Sequence, residues 1–373
     1  MRTVALDYGN RITLCEVRDG AVVERATVTE FAALTRWLGP QTGRARVAIE
    51  ACREAWFVVG KLREWGHEPV MVDTTRVRQL GVGHHRRKTD RIDAELLARA
   101  LEQGHIHEAH VISEARQALR LQLSVRRMLV QQRAHQVTSI RALARVHGHR
   151  VRKVHAAYFA RALRDTPLDE ATRALVEPLV LMVEGLDVQI AFCDRRVQAL
   201  AAREPVIERL MTTPGVGTIV AAAFVSVVDD AGRFRHAHQL ESYLGLVPSE
   251  YSSSDRRSLG HITKQGNAYL RTVLVQAAWT VLRQKQEDPL KEWGQALLRR
   301  RGARVAVVAL ARRLAGVLWA IWRDGTVYEA RRVGLPSKAG LERAAQSLQF
   351  QAARIARASR KRIQSSRRER TAE

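Results

Sequence analysis

Four carboxylates stand where phosphodiester chemistry could use them. Asp7 follows the apolar run Thr3-Val4-Ala5-Leu6, and Glu50 ends a second, Arg46-Val47-Ala48-Ile49. If those runs are neighbouring strands, their C-terminal tips bring Asp7 and Glu50 side by side. Like charges that close repel each other unless a cation lies between them. Hard divalent ions such as Mg2+ or Mn2+ accept carboxylate ligands and keep most of their waters. Asp90 and Asp93 are three apart at the start of an apolar-periodic segment, so both project from one face of a helical first turn. Taken singly, each acid is more readily a turn or capping residue. As a set they could hold two metals for an in-line phosphoryl displacement. Arg86-Arg87-Lys88 stands just before the second pair and suits an approaching phosphate.

A second group of chemistry-bearing residues lies beyond position 210. Thr213-Pro214-Gly215-Val216-Gly217 reads as the turn of a helix–hairpin–helix element. There Gly215 and Gly217 would let the backbone approach DNA, and the next helix would aim its N-terminal amides at a phosphate. Further on, Ser252-Ser253-Ser254 is followed by Arg256, Arg257, Lys264 and Arg271. Serine runs are commonly loops, but a serine attacking a phosphodiester needs cations of this kind around it.

The elements that position these residues follow from pattern. Residues 1–111 read as α/β: a hairpin across Asp19-Gly20, a strand ending at Glu50, a helix over Trp56–Trp65 closed by Gly66, and a strand at Glu68–Val72. Residues 112–204 read as two long helices. Leu119, Leu123, Arg126, Val130 and Val137 lie on one stripe, and Leu179, Met182, Leu186, Ile190 and Val197 on the other. An antiparallel coiled-coil arm is the simplest arrangement, and a compact bundle the alternative. Residues 205–335 read as a mostly helical domain, and 336–373 as a basic tail.

Composition narrows the partners. The formal charge is +24 with pI near 11.2, the footprint of a chain that meets a polyanion. Cys15, Cys52 and Cys193 are too scattered for a disulfide framework or a zinc knuckle. The opening MRTVALDYGN has no apolar leader stretch, and the apolar window Val305–Trp322 is interrupted by Arg312 and Arg313. These features lead us to expect a cytoplasmic, nucleoid-associated protein without a membrane span.

The motifs together resemble those of a known family. Leu-Asp-x-Gly at Asp7, Ile-Glu-Ala at Glu50 and Lys-Thr-Asp-x-x-Asp-Ala from Lys88 to Ala94 are similar to the DEDD-type transposases of the insertion-sequence-110 family, which includes the Piv DNA invertase. The second half agrees in order: Pro-Gly-Val-Gly, Gly-Leu-x-Pro, a serine loop, then Gly-x-Ile-x-Lys-x-Gly-Asn-x-x-Leu-Arg. The resemblance spans roughly residues 3–325. It implies a RuvC-like, ribonuclease-H-like fold for the first domain, with a divalent metal on Asp7, Glu50, Asp90 and Asp93. It also implies a serine that links transiently to DNA, and guidance by a structured non-coding RNA. One departure is evident: Ser252-Ser253-Ser254-Asp255 stands where the family commonly has Ser-Ser-Gly-Gly, and counting back from Gly260 puts the nucleophile at Ser253.

The function expected is therefore a transposase or site-specific recombinase acting on double-stranded DNA as a homo-oligomer, dimer or tetramer. The acidic site would activate the serine. Two alternatives are a metal-dependent structure-specific nuclease and a non-catalytic DNA- or RNA-binding protein descended from a transposase. A covalent protein–DNA adduct separates the first from the others. The basic tail gives an independent test: truncation at Pro336 should lower both DNA affinity and the steepness of its salt dependence, read by titration at several salt concentrations. An unchanged slope would remove the tail from the interface.

Overall fold

The structure, a computed structural model, describes residues 1–73, 90–250 and 259–331. Arg86, Arg87, Lys88, Ser252, Ser253, Ser254, Arg256, Arg257, the Asp90 side chain and the tail at 336–373 lie outside the described residues. The chain divides into two compact units, Met1–Ile112 and Ser113–Glu373.

The first unit is a five-stranded mixed sheet of order β3-β2-β1-β4-β5. Its strands are β1 (Arg2–Tyr8), β2 (Ile12–Arg18), β3 (Ala21–Val28), β4 (Ala45–Glu50) and β5 (Glu68–Val72). The first three form an antiparallel meander; β1, β4 and β5 run parallel. Asp19 and Gly20 both take positive φ, 53° and 74°, which matches the twist of a two-residue hairpin. Alternation assigns the two faces. Val4, Leu6, Val47 and Ile49 pack with the short α1 (Thr35–Leu38) and with α2 (Ala55–Glu64). Ala5, Ala48, Val70 and Val72 pack instead with Ala94, Leu97, Ala98 and Leu101 of α3 (Asp90–Glu102). The unit is thus a helix–sheet–helix sandwich, the mixed α/β architecture expected of its sequence.

The second unit is almost wholly helical. Its long helices are α4 (Glu114–Val146) and α6 (Glu170–Ala201), with the short α5 (Phe159–Arg164) near the hairpin end. There follow α7 (Pro205–Met211), α8 (Thr218–Val228), α9 (Ala237–Tyr243), the strands β6 (Pro248–Glu250) and β7 (Leu259–Ile262), α10 (Ala268–Arg283), α11 (Pro289–Arg301) and α12 (Ala303–Asp324). The core gathers α8, α10 and α12 with Leu119, Leu123, Val197 and Ala201 from the roots of the long helices. Of the described helices, α12 is long and apolar enough to cross a membrane. Its Leu310, Ala311, Leu314 and Leu318 are fully buried in that core, and Arg312 pairs with Glu241.

The seam between α4 and α6 differs in part from the expected one. On α4, Leu119 and Leu123, four apart, and Val137, Ile140 and Ala144, three and four apart, are buried. On α6 the buried residues are Val176, Val180, Val183, Ile190, Cys193, Val197 and Ala201, whereas Met182 is exposed. Of the expected stripe, Ile190 and Val197 are in the seam and Leu179 packs against it, whereas Met182 turns outward. Both stripes are apolar, but only the observed one places Asp187 opposite Arg133 and Asp194 opposite Arg126. Arg133 is buried, and a buried charge without a counter-charge is costly. The ion pairs therefore decide which of two apolar faces turns inward. Removing one partner, Arg133→Leu, should lower the denaturation midpoint by about 3 kcal/mol of stability. Arg133→Leu with Asp187→Leu should recover most of the loss, because an apolar pair of similar volume replaces the charges. Equal losses in both variants, read by urea denaturation, would show that the pairing does not govern the seam.

Candidate active site

The acidic residues can be placed from strand register. Leu6 of β1 faces Ile49 of β4, so Asp7 and Glu50 are the next residues on two parallel neighbours. Side chains alternate between faces, so both lie on the face of Ala5 and Ala48, the one that α3 covers. The direction of α3 follows from its contacts. Its C-terminal Glu102 accepts a hydrogen bond from Gly20 N at 3.0 Å, and Arg99 donates to Gly20 O. The Gly20 turn sits at the N-terminal end of β1, since Thr3 pairs with Val17. The helix thus runs antiparallel to β1. From Glu102 back to Asp93 the helix covers about 14 Å, and from Arg2 to Asp7 the strand covers about 17 Å. Asp93 comes level with Asp7 and Glu50.

Asp93 is 5% exposed. It makes no hydrogen bond or ion pair among the described residues, in contrast to Glu95, which binds Arg25 and Arg99. A buried carboxylate is costly unless a partner balances it. Its companions are oxygen donors, suited to a hard divalent ion. Among the described residues no three His, Cys, Asp or Glu side chains close into a metal cluster; the acids share a face and an end without closing on one point. On the opposite face of the same edge, burial raises the pKa of the Tyr8 hydroxyl, and Glu54 and Cys52 add to it.

The serine loop is held at its root by two glycine turns packed back to back. Gly245 has φ +68°, and a Cβ there would meet Gln265 O at 2.0 Å. Gly266 has φ +80°, and its Cβ would meet Tyr243 O at 2.1 Å. Neither position accepts a side chain. Thr263 N donates to Val247 O at 2.9 Å and Lys264 N to Gly245 O at 3.1 Å, extending the β6–β7 pairing. Arg271, expected to contact nucleic acid, donates to Leu244 O at 3.1 Å and Gln265 O at 2.7 Å. It clasps both turns, and desolvation lowers its pKa. Lys264 is exposed, with φ +56°. Asn267 caps α10 by accepting from Leu270 N at 2.9 Å.

The Pro-Gly-Val-Gly turn joins α7 to α8. Gly215 has φ +76°, and a Cβ would meet Ala277 O and Val281 Cγ2 at 2.7 Å. Its bare face is thus taken by α10 rather than left to a ligand. Gly217 is different: it is exposed, nothing lies within 4 Å of a Cβ built on it, and no side chain caps the N-terminus of α8 that it opens. A cleft of 720 Å³ borders the turn, lined by Pro214, Gly217, Gln284, Asp288 and Tyr328 among others. Tyr328 Oη donates to Asp288 at 2.9 Å.

Comparison with known proteins identifies the arrangement. A family model described as Transposase IS116/IS110/IS902 family matches residues 207–293, and the DEDD-type IS110 model, described as Transposase, matches residues 11–147. A probable family 20 transposase of Pseudomonas aeruginosa is 33% identical over 314 residues, 82% of this chain and 90% of that protein. The chain belongs to the IS110/IS116/IS902 transposase family. The transposase of insertion sequence IS1328 from Yersinia enterocolitica is 28% identical over 288 residues, 76% of this chain and 85% of its own. That of IS1111A from Coxiella burnetii is 28% identical over 241 residues, 63% and 66% of the two chains. The protein is a DNA transposase, and its DEDD-type domain is of a kind suited to a divalent cation.

Sequence reasoning missed the clasping role of Arg271 and the interlock of Gly245 with Gly266. The signal was present as two glycine motifs flanking one loop, but their mutual contact is long-range. The interlock makes a test. Gly245→Ala should lower the stability of the second unit by about 2 kcal/mol or more, the sum of positive-φ strain and overpacking, with loss of transposition. A variant of unchanged melting temperature would show that the turns are not in contact.

Proposed function

We propose that this transposase cuts and rejoins the DNA of a mobile element with two sets of residues, the DEDD acids and Ser253, guided by a structured non-coding RNA. The observation that supports the acidic half is the buried Asp93, with no partner among the described residues, on a helix covering the sheet face that carries Asp7 and Glu50. Asp7, Glu50, Asp90 and Asp93 would hold Mg2+ or Mn2+, which when bound offsets charge on the scissile phosphate. The domain scheme is 1–111 for the metal domain, 112–204 for the arm, 205–335 for the serine domain and 336–373 for the basic tail.

In the serine half, Ser253 Oγ attacks the phosphorus. An Oγ–P ester forms as the bond to one strand oxygen breaks, and the serine proton ends on that released hydroxyl. The exchange of one ester for another needs no water and no energy donor. Arg256, Arg257 and Lys264 balance charge on the phosphate. The exposed Lys264 beside the interlocked turns supports this assignment. Gly217, at the open end of α8, suits a helix–hairpin–helix contact to a DNA phosphate. Exposed Leu121, Met128, Leu181, Met182 and Val188 on the long helices suit the homo-oligomer that strand exchange between two duplexes requires.

Two measurements test the reading. Mn2+ at a hundredfold excess over its dissociation constant should stabilise the protein by about 2.7 kcal/mol, a shift that Asp93→Asn abolishes while leaving the metal-free fold intact. A suicide DNA substrate should leave a strand on the peptide containing Ser253. Cutting without any adduct would make the protein a nuclease, and an adduct on Ser252 or Ser254 would move the register.

A further inference from the structure

The turn that joins the two long helices carries a second concentration of positive charge, far along the chain from the sites above. Between Glu114 and Asp165 the sequence has twelve Arg or Lys and no Asp or Glu. The α4 helix is about 50 Å long, and the last part of this stretch lies at its far end. There Gly148 takes φ +84° and reverses the chain, with His149 N donating to Ala144 O at 2.9 Å. A cleft of 720 Å³ opens at the reversal, lined by Arg141, Arg145, Gly148, His149, Arg150 and Val151.

The cations around this cleft lack counter-charges. Arg141, Arg145 and Arg150 have no ion pair among the described residues, and Arg141 Nε is buried without a hydrogen-bond partner. The nearby carboxylate, Asp169, is already engaged. It accepts from Thr172 N and Thr172 Oγ1 at 2.8 and 2.7 Å, capping α6, and from His149 at 2.6 Å. These bonds hold its carboxyl well below the usual range, so it stays an occupied anion. Arg141 is itself braced, its guanidinium lying 5.0 Å over the Phe159 ring. Arg145 in the last turn of α4 could be present for the helix dipole alone. Arg150, Arg152 and Lys153 lie beyond the helix end, where that effect does not reach, and all three are exposed.

We propose that this cleft is a phosphate-binding site for duplex DNA at the tip of the helical hairpin, built from residues other than the acidic set and the serine segment. Arg141 and Arg145 are one helical turn apart, a spacing of about 6 Å, close to that of successive phosphates along a strand. Duplex DNA is chosen because the transposase family fixes DNA as substrate and the lining supplies cations at the spacing of phosphates. The arm would thereby grip the backbone without regard to sequence, about 50 Å from the start of α4.

The experiment uses the full-length protein with Arg145→Ala and Arg150→Ala combined, titrated with a 40-bp duplex and, separately, with an RNA hairpin. Loss of two phosphate contacts should flatten the log–log salt slope for duplex DNA by about 1.8, a roughly tenfold narrower affinity change between 50 and 200 mM salt. A photo-cross-linking residue at position 147 should label the duplex. An unchanged slope with no cross-link would overturn the proposal, and a loss confined to the RNA hairpin would overturn it in favour of an RNA site. A lowered melting temperature with an unaltered slope would make these arginines structural.

Discussion

Ala5 and Ala48 lie on adjacent parallel strands, in one cluster with Ala94 and Ala98 of α3. Small residues on both surfaces let the helix lie close over the strand tips, and that close approach buries Asp93 on the face that carries Asp7 and Glu50. Larger side chains would lift the helix and expose its acid to water. The contacts at the far end of α3, from Arg99 and Glu102 to the Gly20 turn, fix its direction and hence which end carries the acid. A β-hairpin on the meander edge therefore orients a residue of the candidate active site at the other end of the sheet.

The second unit solves a related problem without a sheet. The segments that flank the serine run meet at a tightly packed root. Here the root is two positive-φ glycines in contact, with one arginine bonded to a carbonyl beside each. Backbone-to-backbone approach is stiffer than side-chain packing, since there are no rotamers to relax. Arg271 shows how a cation can brace the backbone on both sides of such a root.

The strands, the Asp19-Gly20 hairpin and the long helices were legible in the residues because each depends on local periodicity and turn chemistry. The nearness of Asp7 to Glu50 was legible too, since both end apolar runs that pair in parallel. What pattern could not resolve was the choice between two apolar stripes on α6. The stripe through Met182 and the one through Val183 differ little in hydrophobicity; Asp187 and Asp194 distinguish them only when Arg133 and Arg126 on a distant helix are considered. The packing of Gly215 was hidden for the same reason. Its sequence shows a turn, and only the fold shows that α10 fills the space beside it.

The two ion pairs of the helical hairpin have an arithmetic of their own. Arg126 and Arg133 are seven residues apart, as are Asp187 and Asp194, and each pair of positions sums to the same number across the antiparallel seam. Seven residues is one repeat of the inward-facing pattern. A deletion of any other length in one helix would turn a charge out of the seam or set it against an apolar neighbour. A change of arm length that keeps both pairs in register therefore takes whole repeats from both helices together, in steps of about 10 Å.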